Sequence, residues 1–139
     1  MIRKLRASDI NRVMSIWLQE NIRAHSFVDD TYWKAHYADV KKAMLVANVY
    51  IYQEQNIIKG FAEIQDDYLA GIFVVKEFQG QGVGHALMKH IKQQFSAFQL
   101  DVYVLNKPAI RFYLREGLQI IKSGVDSETG KTEYRMQWK

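Results

Sequence analysis

The sequence predicts a single α+β domain, residues 1–139, folded around one mixed sheet. Three observations support this prediction. The length of 139 residues fits one domain and leaves little room for a second. Strand-like segments are interleaved with segments whose apolar residues recur at helical spacing, in the order β-α-α-β-β-β-α-β-α-β-β. The chain has one proline and no repeat, low-complexity tract or linker, so we expect it to be structured throughout.

The first predicted elements are a short strand over residues 2–5 and two helices. The first helix begins at Asp9, with Ser8 placed to cap it, and its apolar residues fall at positions 10, 13, 14, 17 and 18. The second begins near Asp30 and runs through Val40.

Three strands are predicted next, over residues 45–52, 58–64 and 69–75, and the first two are joined by a polar tip at residues 55–56. Alternation along the second strand divides its side chains between two faces: Ile58, Gly60, Ala62 and Ile64 on one, Phe61 and Glu63 on the other. The third is apolar throughout, which predicts a strand buried on both faces near the centre of the sheet.

The remaining elements are predicted to close the sheet. They are a turn at 79–82, a helix with Val83, Leu87, Ile91 and Phe95 on its inner face, a strand over 100–104, a short helix with Pro108 in its first turn and Gly117 at its end, and two strands over 118–125 and 132–138.

Composition excludes several classes of function. The absence of cysteine removes disulfides, thiolate metal sites and a cysteine nucleophile, and it fits a reducing compartment. Nineteen basic and fifteen acidic residues give a net charge of +4 with the signs interspersed, which argues against a nucleic-acid-binding protein. The N-terminus has no apolar signal segment, and no stretch is long and apolar enough for a membrane span. We therefore expect a cytoplasmic protein with no membrane partner.

The most informative segment is the turn at residues 79–84, between an apolar strand and a helix. Its glycines let the backbone approach a ligand, and the free N–H groups of the first helical turn favour an anion, so the segment predicts a ligand that carries a diphosphate. The dinucleotide fingerprint needs glycine where the chain has His85. The phosphate-binding P-loop is also excluded, because the glycine required before Gly130-Lys131-Thr132 falls on Val125.

The turn does fit the pattern Q/R-x-x-G-x-G/A, as Gln79-Gly80-Gln81-Gly82-Val83-Gly84. With the rest of residues 72–87 and a downstream series, it resembles the GNAT superfamily of acetyl-CoA-dependent N-acetyltransferases. The downstream residues are Asn106, Ala109, Phe112, Tyr113 and Gly117. The GNAT fold, a mixed and mostly antiparallel sheet of six to seven strands flanked by about four helices, agrees with the predicted element order over essentially the whole chain. The chain also resembles a bacterial single-domain subgroup that includes protein-lysine acetyltransferases. The residues that carry this likeness are Ile16-Trp17-Leu18, His25-x-Phe27, Tyr32-Trp33 and Val125-Asp126.

The resemblance implies acetyl-CoA as cosubstrate, with no metal, and it assigns roles to the matching positions. The backbone of Ile72, Phe73 and Val74 would bind the pantetheine arm as an added strand. Asn106 would lie beside that arm or the thiol end, Tyr113 would lie near the sulfur, and Phe112 is counted with the cofactor-binding residues. The N–H groups that would hold the pyrophosphate belong to Gln79, Gly80, Gln81, Gly82, Val83 and Gly84. Three positions depart from the pattern: Lys76 stands for a common proline, Gln79 for a frequent arginine and Leu118 for a usual phenylalanine.

The chemistry of acetyl transfer gives some of these residues a task. A phenol with a pKa near ~10 stays protonated at neutral pH, so Tyr113 could protonate the departing thiolate; the alternative is that it only packs under the short helix. An amine must lose a proton, and Glu63 could accept it through water, although a solvated carboxylate is the alternative there. A backbone N–H of the central strand, such as that of Phe73, would polarise the carbonyl, and a bulge at residues 70–72 would open a slot for the pantetheine.

The amine acceptor is expected to lie near His25 and Phe27, in the loop between the first two helices, and near Tyr68 at a strand end. A cationic acceptor fits the acidic residues Asp29, Asp30, Asp39, Asp66 and Asp67. We therefore predict direct transfer of an acetyl group in a ternary complex to a primary amine, a protein lysine or a small amine. A non-catalytic acetyl-CoA sensor with the same fold is the alternative, and a monomer and a homodimer are both compatible with the sequence.

Overall fold

The computed structural model describes residues 1–139, which form four α-helices around a seven-stranded mixed sheet. The helices are α1 (Ile10–Ala24), α2 (Asp30–Val46), α3 (Val83–Gln94) and α4 (Lys107–Arg115). The strands are β1 (Ile2–Lys4), β2 (Asn48–Glu54), β3 (Ile57–Gln65), β4 (Tyr68–Val74), β5 (Phe98–Tyr103), β6 (Gln119–Val125) and β7 (Thr132–Trp138). The predicted fold class and element order are confirmed. None of the helices is long and apolar enough to cross a membrane.

The sheet has two apolar cores, one on each face. One face carries α3 and α4, whose Leu87, Ile91 and Ile110 pack with Phe98 and Met136 of the sheet. The other carries α1 and α2, and its buried side chains include Val13, Met14, Ile16, Trp17, Trp33, Met44, Ile51 and Phe61. The helical stripes predicted for α1 and α3 are therefore the stripes that are buried.

The strand order β1-β2-β3-β4-β5-β7-β6 puts β4 in the middle, and β4–β5 is the only parallel pair. β4 pairs with β3 along its whole length, but it pairs with β5 only at Tyr68↔Gln99. The register of β4 against β3 shifts around Ala70, because Gly71 lies opposite Glu63 and Leu69 opposite Ile64. This bulge confirms the one predicted at residues 70–72, and beyond Tyr68 the two central strands diverge.

The divergence corrects the prediction that residues 69–75 are buried on both faces. Leu69 is fully buried, but residues 71–74 are only half-buried because β5 no longer covers their edge. An apolar strand that faces a ligand cleft has the same sequence pattern as one that faces a helix.

Three local predictions were wrong. Ser8 is exposed in a 3-10 turn and caps nothing; Asp9 instead accepts from the backbone N of Arg6 at 2.7 Å and pairs with Arg3 at 2.8 Å. Leu45 and Val46, predicted to begin a strand, are exposed residues of the last turn of α2. Ile58 packs with the α1–α2 core rather than beside Gly60, because the register shifts at Lys59 and reverses the alternation.

Candidate active site

A cleft of about 1090 Å³ opens where β4 and β5 diverge. Its walls are the end of α1, the edge of β4, the glycine turn, α4, and the ends of β5 and β7. Twelve of the residues predicted for the site line it: His25, Tyr68, Ile72, Phe73, Val74, Gln79, Gly80, Gly82, Gly84, Asn106, Phe112 and Tyr113. Four others do not: Phe27, Glu63, Gln81 and Val83.

The free edge of β4 faces this cleft through alternate residues. The carbonyl of Val74 accepts a hydrogen bond from Gln79 Nε2 at 2.9 Å, whereas the N–H of Val75 donates to the carbonyl of Lys59 at 2.9 Å. Because consecutive residues of a strand point their backbone groups to opposite edges, Ile72 and Val74 face the cleft and Phe73 faces β3. The expectation that the Phe73 N–H polarises the substrate carbonyl is therefore wrong, and the free N–H groups belong to its two neighbours.

Glycine is required in the turn for two different reasons. Gly80 and Gly82 have φ values of 76° and 87°, a conformation that L-residues rarely adopt, although a Cβ at either would meet nothing within 4 Å. Gly82 is the N-cap of α3 and has no side chain to cap it, so the first N–H groups of the helix remain available to an anion. At Gly84 the reason is packing, because a Cβ would lie 3.2 Å from the ring of Phe112.

Sequence reasoning missed Glu20, a buried residue of α1 that lines the cleft. Glu20 accepts from Gln79 Nε2 at 3.3 Å and lies 3.4 Å from Arg23 Nε. The side chain of Gln79 therefore ties the turn to α1 and β4. No sequence signal joins Glu20 to a residue 59 positions away, because the contact depends on how α1 packs over the sheet.

Two arginines and a histidine line the same end of the cleft as the glycine turn. Arg23 reaches it from α1, His85 from the first turn of α3 and Arg115 from the end of α4. His85 Nδ1 lies 2.9 Å from the carboxylate of Glu116, which fixes the imidazole ring. This end therefore combines free backbone N–H groups with positive charge, which suits a phosphate-bearing ligand.

Tyr113 lies on the buried side of α4, at the middle of the cleft, and its side chain is 7% exposed. Burial raises the pKa of its phenol to about 12, and the nearby backbone of Ile72 acts in the opposite direction. The hydroxyl is therefore protonated at neutral pH and lies at the free edge of β4. The neighbouring ring of Phe112 packs edge-on against it at 5.3 Å.

Glu63 is a buried carboxyl group on β3 with no hydrogen bond or ion pair. Burial raises its pKa from 4.5 to about 7. It lies opposite Gly71 of β4, on the sheet face covered by α1, and outside the lining of the cleft. A carboxyl with this pKa can gain and lose a proton near neutral pH, and only Gly71, which lacks a side chain, stands beside it on β4.

His25 and Asn106 meet across the cleft. His25 Nε2 lies 3.1 Å from Asn106 Nδ2, and His25 Nδ1 lies 3.0 Å from the carbonyl of Asn21. Burial lowers the pKa of His25 to about 4, so the ring is neutral at physiological pH. Phe27 packs edge-on against this ring at 5.7 Å and supports it from outside the cleft.

The end of the cleft opposite the glycine turn carries carboxylates from β5, β7 and the turn between β6 and β7. Asp101 is engaged by Tyr68 and by Arg135, and Asp126 accepts from the Tyr103 hydroxyl at 2.6 Å. Glu133 has no such partner, and burial together with Asp101 and Asp126 raises its pKa. None of the five aspartates that the sequence suggested for a cation, Asp29, Asp30, Asp39, Asp66 and Asp67, lines the cleft.

Comparison with known proteins agrees with this geometry. Residues 46–119 match the family model described as an acetyltransferase (GNAT) domain. The peptidyl-lysine N-acetyltransferase YiaC of Escherichia coli is 31% identical over 140 residues, which cover 99% of this chain and 96% of the relative. The peptidyl-lysine N-acetyltransferase YjaB of Salmonella typhimurium is 21% identical and covers 94% of this chain and 90% of its own.

Solved structures share the fold. The apo form of YjaB from Escherichia coli superposes with a TM-score of 0.85 at 20% identity, over 99% of this chain and 96% of that one. The structure of yncA from Salmonella typhimurium with its cofactor acetyl-CoA gives a TM-score of 0.69 at 17% identity, over 100% of this chain and 92% of that one.

Proposed function

The chain belongs to the GNAT family of acetyl-CoA-dependent N-acetyltransferases, and from this premise we propose that it acetylates the side-chain amine of lysine in proteins or peptides. Transfer is direct, within a ternary complex of enzyme, acetyl-CoA and acceptor. The observation that carries the proposal is the position of the Tyr113 hydroxyl. It lies beside the free backbone edge of β4, between a glycine turn suited to phosphates and a cleft end lined by carboxylates.

The residues present fit acetyl-CoA. The pantetheine arm hydrogen-bonds to the cleft-facing backbone of Ile72 and Val74, which β5 leaves unpaired, and so takes the place of a missing strand. Gln79 Nε2 holds the Val74 carbonyl in the free protein and gives way to the amides of the arm. The pyrophosphate then lies at the N-terminus of α3, where Gly80 and Gly82 keep the backbone bare.

The acyl group is transferred at the middle of the cleft. The uncharged amine attacks the thioester carbonyl, a C–N bond forms and the C–S bond breaks. The N–H of Ile72 donates to the carbonyl oxygen as charge develops there. The departing thiolate takes its proton from Tyr113, whose raised pKa keeps that proton in place until it is needed.

Glu63 removes the proton that the amine must lose. Its pKa of about 7 suits a base that works near neutral pH. Because Glu63 lies behind Gly71 rather than in the lining, the proton passes through at least one water molecule. A Cβ at position 71 would lie 2.7 Å from the ring of Phe73, so this position has no room for a side chain.

The choice of lysine as acceptor rests on two observations. The acceptor end of the cleft carries Asp101, Asp126 and Glu133, of which only Asp101 is paired with an arginine, so this end keeps negative charge that attracts a cationic amine. The curated relatives that cover nearly the whole chain, YiaC and YjaB, are both peptidyl-lysine N-acetyltransferases.

Release of coenzyme A, measured with lysine-bearing peptides, tests the proposal. Wild-type protein should release thiol only when both acetyl-CoA and a peptide are present, and the peptide should gain one acetyl group on lysine by mass spectrometry. Tyr113→Phe should lower kcat about a hundredfold without changing acetyl-CoA affinity, because a general acid contributes about that much or more.

Tyr134→Phe is the matched control, since it removes a phenol from a half-buried side chain of β7 that does not line the cleft. Undiminished turnover in Tyr113→Phe would overturn the acid role. Saturable acetyl-CoA binding without acceptor-dependent release across lysine peptides and small amines would favour the sensor function instead.

A further inference from the structure

His25 joins two walls of the cleft that are remote in sequence. It is the C-cap of α1, and its partner Asn106 is the N-cap of α4, the helix that carries Tyr113. The two side chains are 81 positions apart, and their nitrogen atoms lie 3.1 Å apart.

The chemistry of the partners fixes the tautomer of the ring. The carbonyl of Asn21 can only accept, so His25 Nδ1 carries the proton. An amide nitrogen can only donate, so His25 Nε2 accepts from Asn106 Nδ2. Asn106 Oδ1 accepts from the N–H of Ala109 at 3.4 Å, which agrees with this orientation of the carboxamide.

The surroundings of the ring leave it little freedom. Trp33 stacks on it at 5.0 Å and 26°, and Tyr103 meets it edge-on at 5.2 Å. Both ring nitrogens are already bonded within the protein, so His25 has no free donor or acceptor for a substrate. It therefore offers no hydrogen bond to the acceptor, although it lines the cleft.

The same contact leaves Asn106 with one free hydrogen. Nδ2 has two hydrogens, and His25 takes one of them. We propose that His25 is a positioning residue, which fixes the rotation of the Asn106 carboxamide so that its second N–H points along the cleft toward the acyl-bearing arm. The inference rests on the proposed function, because the arm is that of acetyl-CoA.

A double-mutant cycle separates this role from simple packing. His25→Phe keeps the aromatic contacts with Trp33 and Tyr103 but removes both hydrogen bonds, and it should lower kcat about tenfold. If His25 acts through Asn106, the double variant with Asn106→Ala should be no slower than Asn106→Ala alone. His90→Phe is the control, because it makes the same change at a half-buried histidine outside the cleft. Independent, multiplied losses in the double variant would overturn the proposal.

A second readout does not depend on the acceptor. In ¹⁵N NMR spectra of the wild type, the His25 ring should carry its proton on Nδ1 and titrate below about 5. Asn106→Asp replaces the donor with a carboxylate, so the bond survives only if Nε2 is protonated, and the pKa of His25 should rise above about 6. An unchanged His25 pKa in this variant would overturn the contact itself. A wild type that acetylates no lysine peptide would instead overturn the proposed function and leave the NMR result valid.

Discussion

The two ends of the cleft are built from different parts of the chain. The donor end is mainly backbone: the free edge of β4 at Ile72 and Val74 and the N–H groups after Gly80 and Gly82. The acceptor end is made of side chains from three separate segments, with Tyr68 and Asp101 on neighbouring strands and Glu133 on β7. Backbone groups keep their positions when side chains change, whereas a constellation of side chains can be rebuilt one residue at a time.

This difference implies that donor and acceptor recognition can be altered separately. Changes at the donor end should act on acetyl-CoA affinity, changes at the acceptor end on the KM of the peptide, and only the groups between them on the chemical step. The predictions below test this division from the largest expected effect to the smallest.

Glu63→Gln should have the largest effect, about a hundredfold on kcat/KM at pH 8, because the glutamine cannot accept a proton. The wild-type rate should rise as the pH passes about 7, where Glu63 loses its proton, and the variant should lack this inflection. Acetyl-CoA affinity should not change. The measurement is a pH–rate profile of coenzyme A release with a lysine peptide.

The same variant should be more stable than the wild type at pH 8. Burial raises the folded-state pKa of Glu63 from 4.5 to about 7. Its contribution to the free energy of unfolding is therefore full below about pH 4.5 and is lost as the pH rises through 7. That loss, about 3 kcal/mol, is absent in the glutamine variant. Asp39→Asn, at an exposed position on α2 with no ion pair and outside the cleft, should change neither quantity. A wild-type pH profile retained by Glu63→Gln would remove Glu63 from the mechanism.

Gly82→Val tests the donor end and should weaken acetyl-CoA binding about thirtyfold in calorimetry. A β-branched residue at φ 87° is strained by roughly 2 kcal/mol, so the turn relaxes and its N–H groups leave their positions. Gly124→Val is the matched control, since Gly124 lies on exposed β6 with no atom within 4 Å of a Cβ. Equal affinities of the two variants would mean that the glycine turn does not hold the phosphates.

The donor end could be predicted from the sequence because its residues are consecutive. Residues 79–84 form one pattern, and the phosphate-binding physics of a strand, a glycine turn and a helix needs nothing more distant. The exposed edge of β4 was expected only from the family resemblance, because hydrophobicity does not distinguish a strand covered by a neighbour from one that faces a ligand. The order of helices and strands was predictable for the same local reason, while the register shift that moves Ile58 to the other face was not.

The acceptor end could not be predicted because tertiary structure assembles it. Asp101 and Glu133 are separated by 32 positions and come together only because β5 pairs with β7. Acidity alone pointed instead to residues such as Asp67, which lies in an exposed turn outside the cleft. Glu20, which supports Gln79 from α1, was missed for the same reason.

Glu133→Gln should have the smallest effect and is the most selective test of the acceptor end. Glu133 has no hydrogen-bond partner of its own, and its raised pKa reflects burial and the negative charge of Asp101 and Asp126, which Arg135 offsets only in part and a lysine ammonium would relieve further. Its loss should raise the KM for a lysine peptide about fivefold at low salt, corresponding to about 1 kcal/mol, and less at high salt. Acetyl-CoA affinity should stay at the wild-type value. Asp67→Asn removes the same charge outside the cleft and should have little effect; an equal rise in KM for both variants would mean that net charge, rather than this end of the cleft, attracts the acceptor.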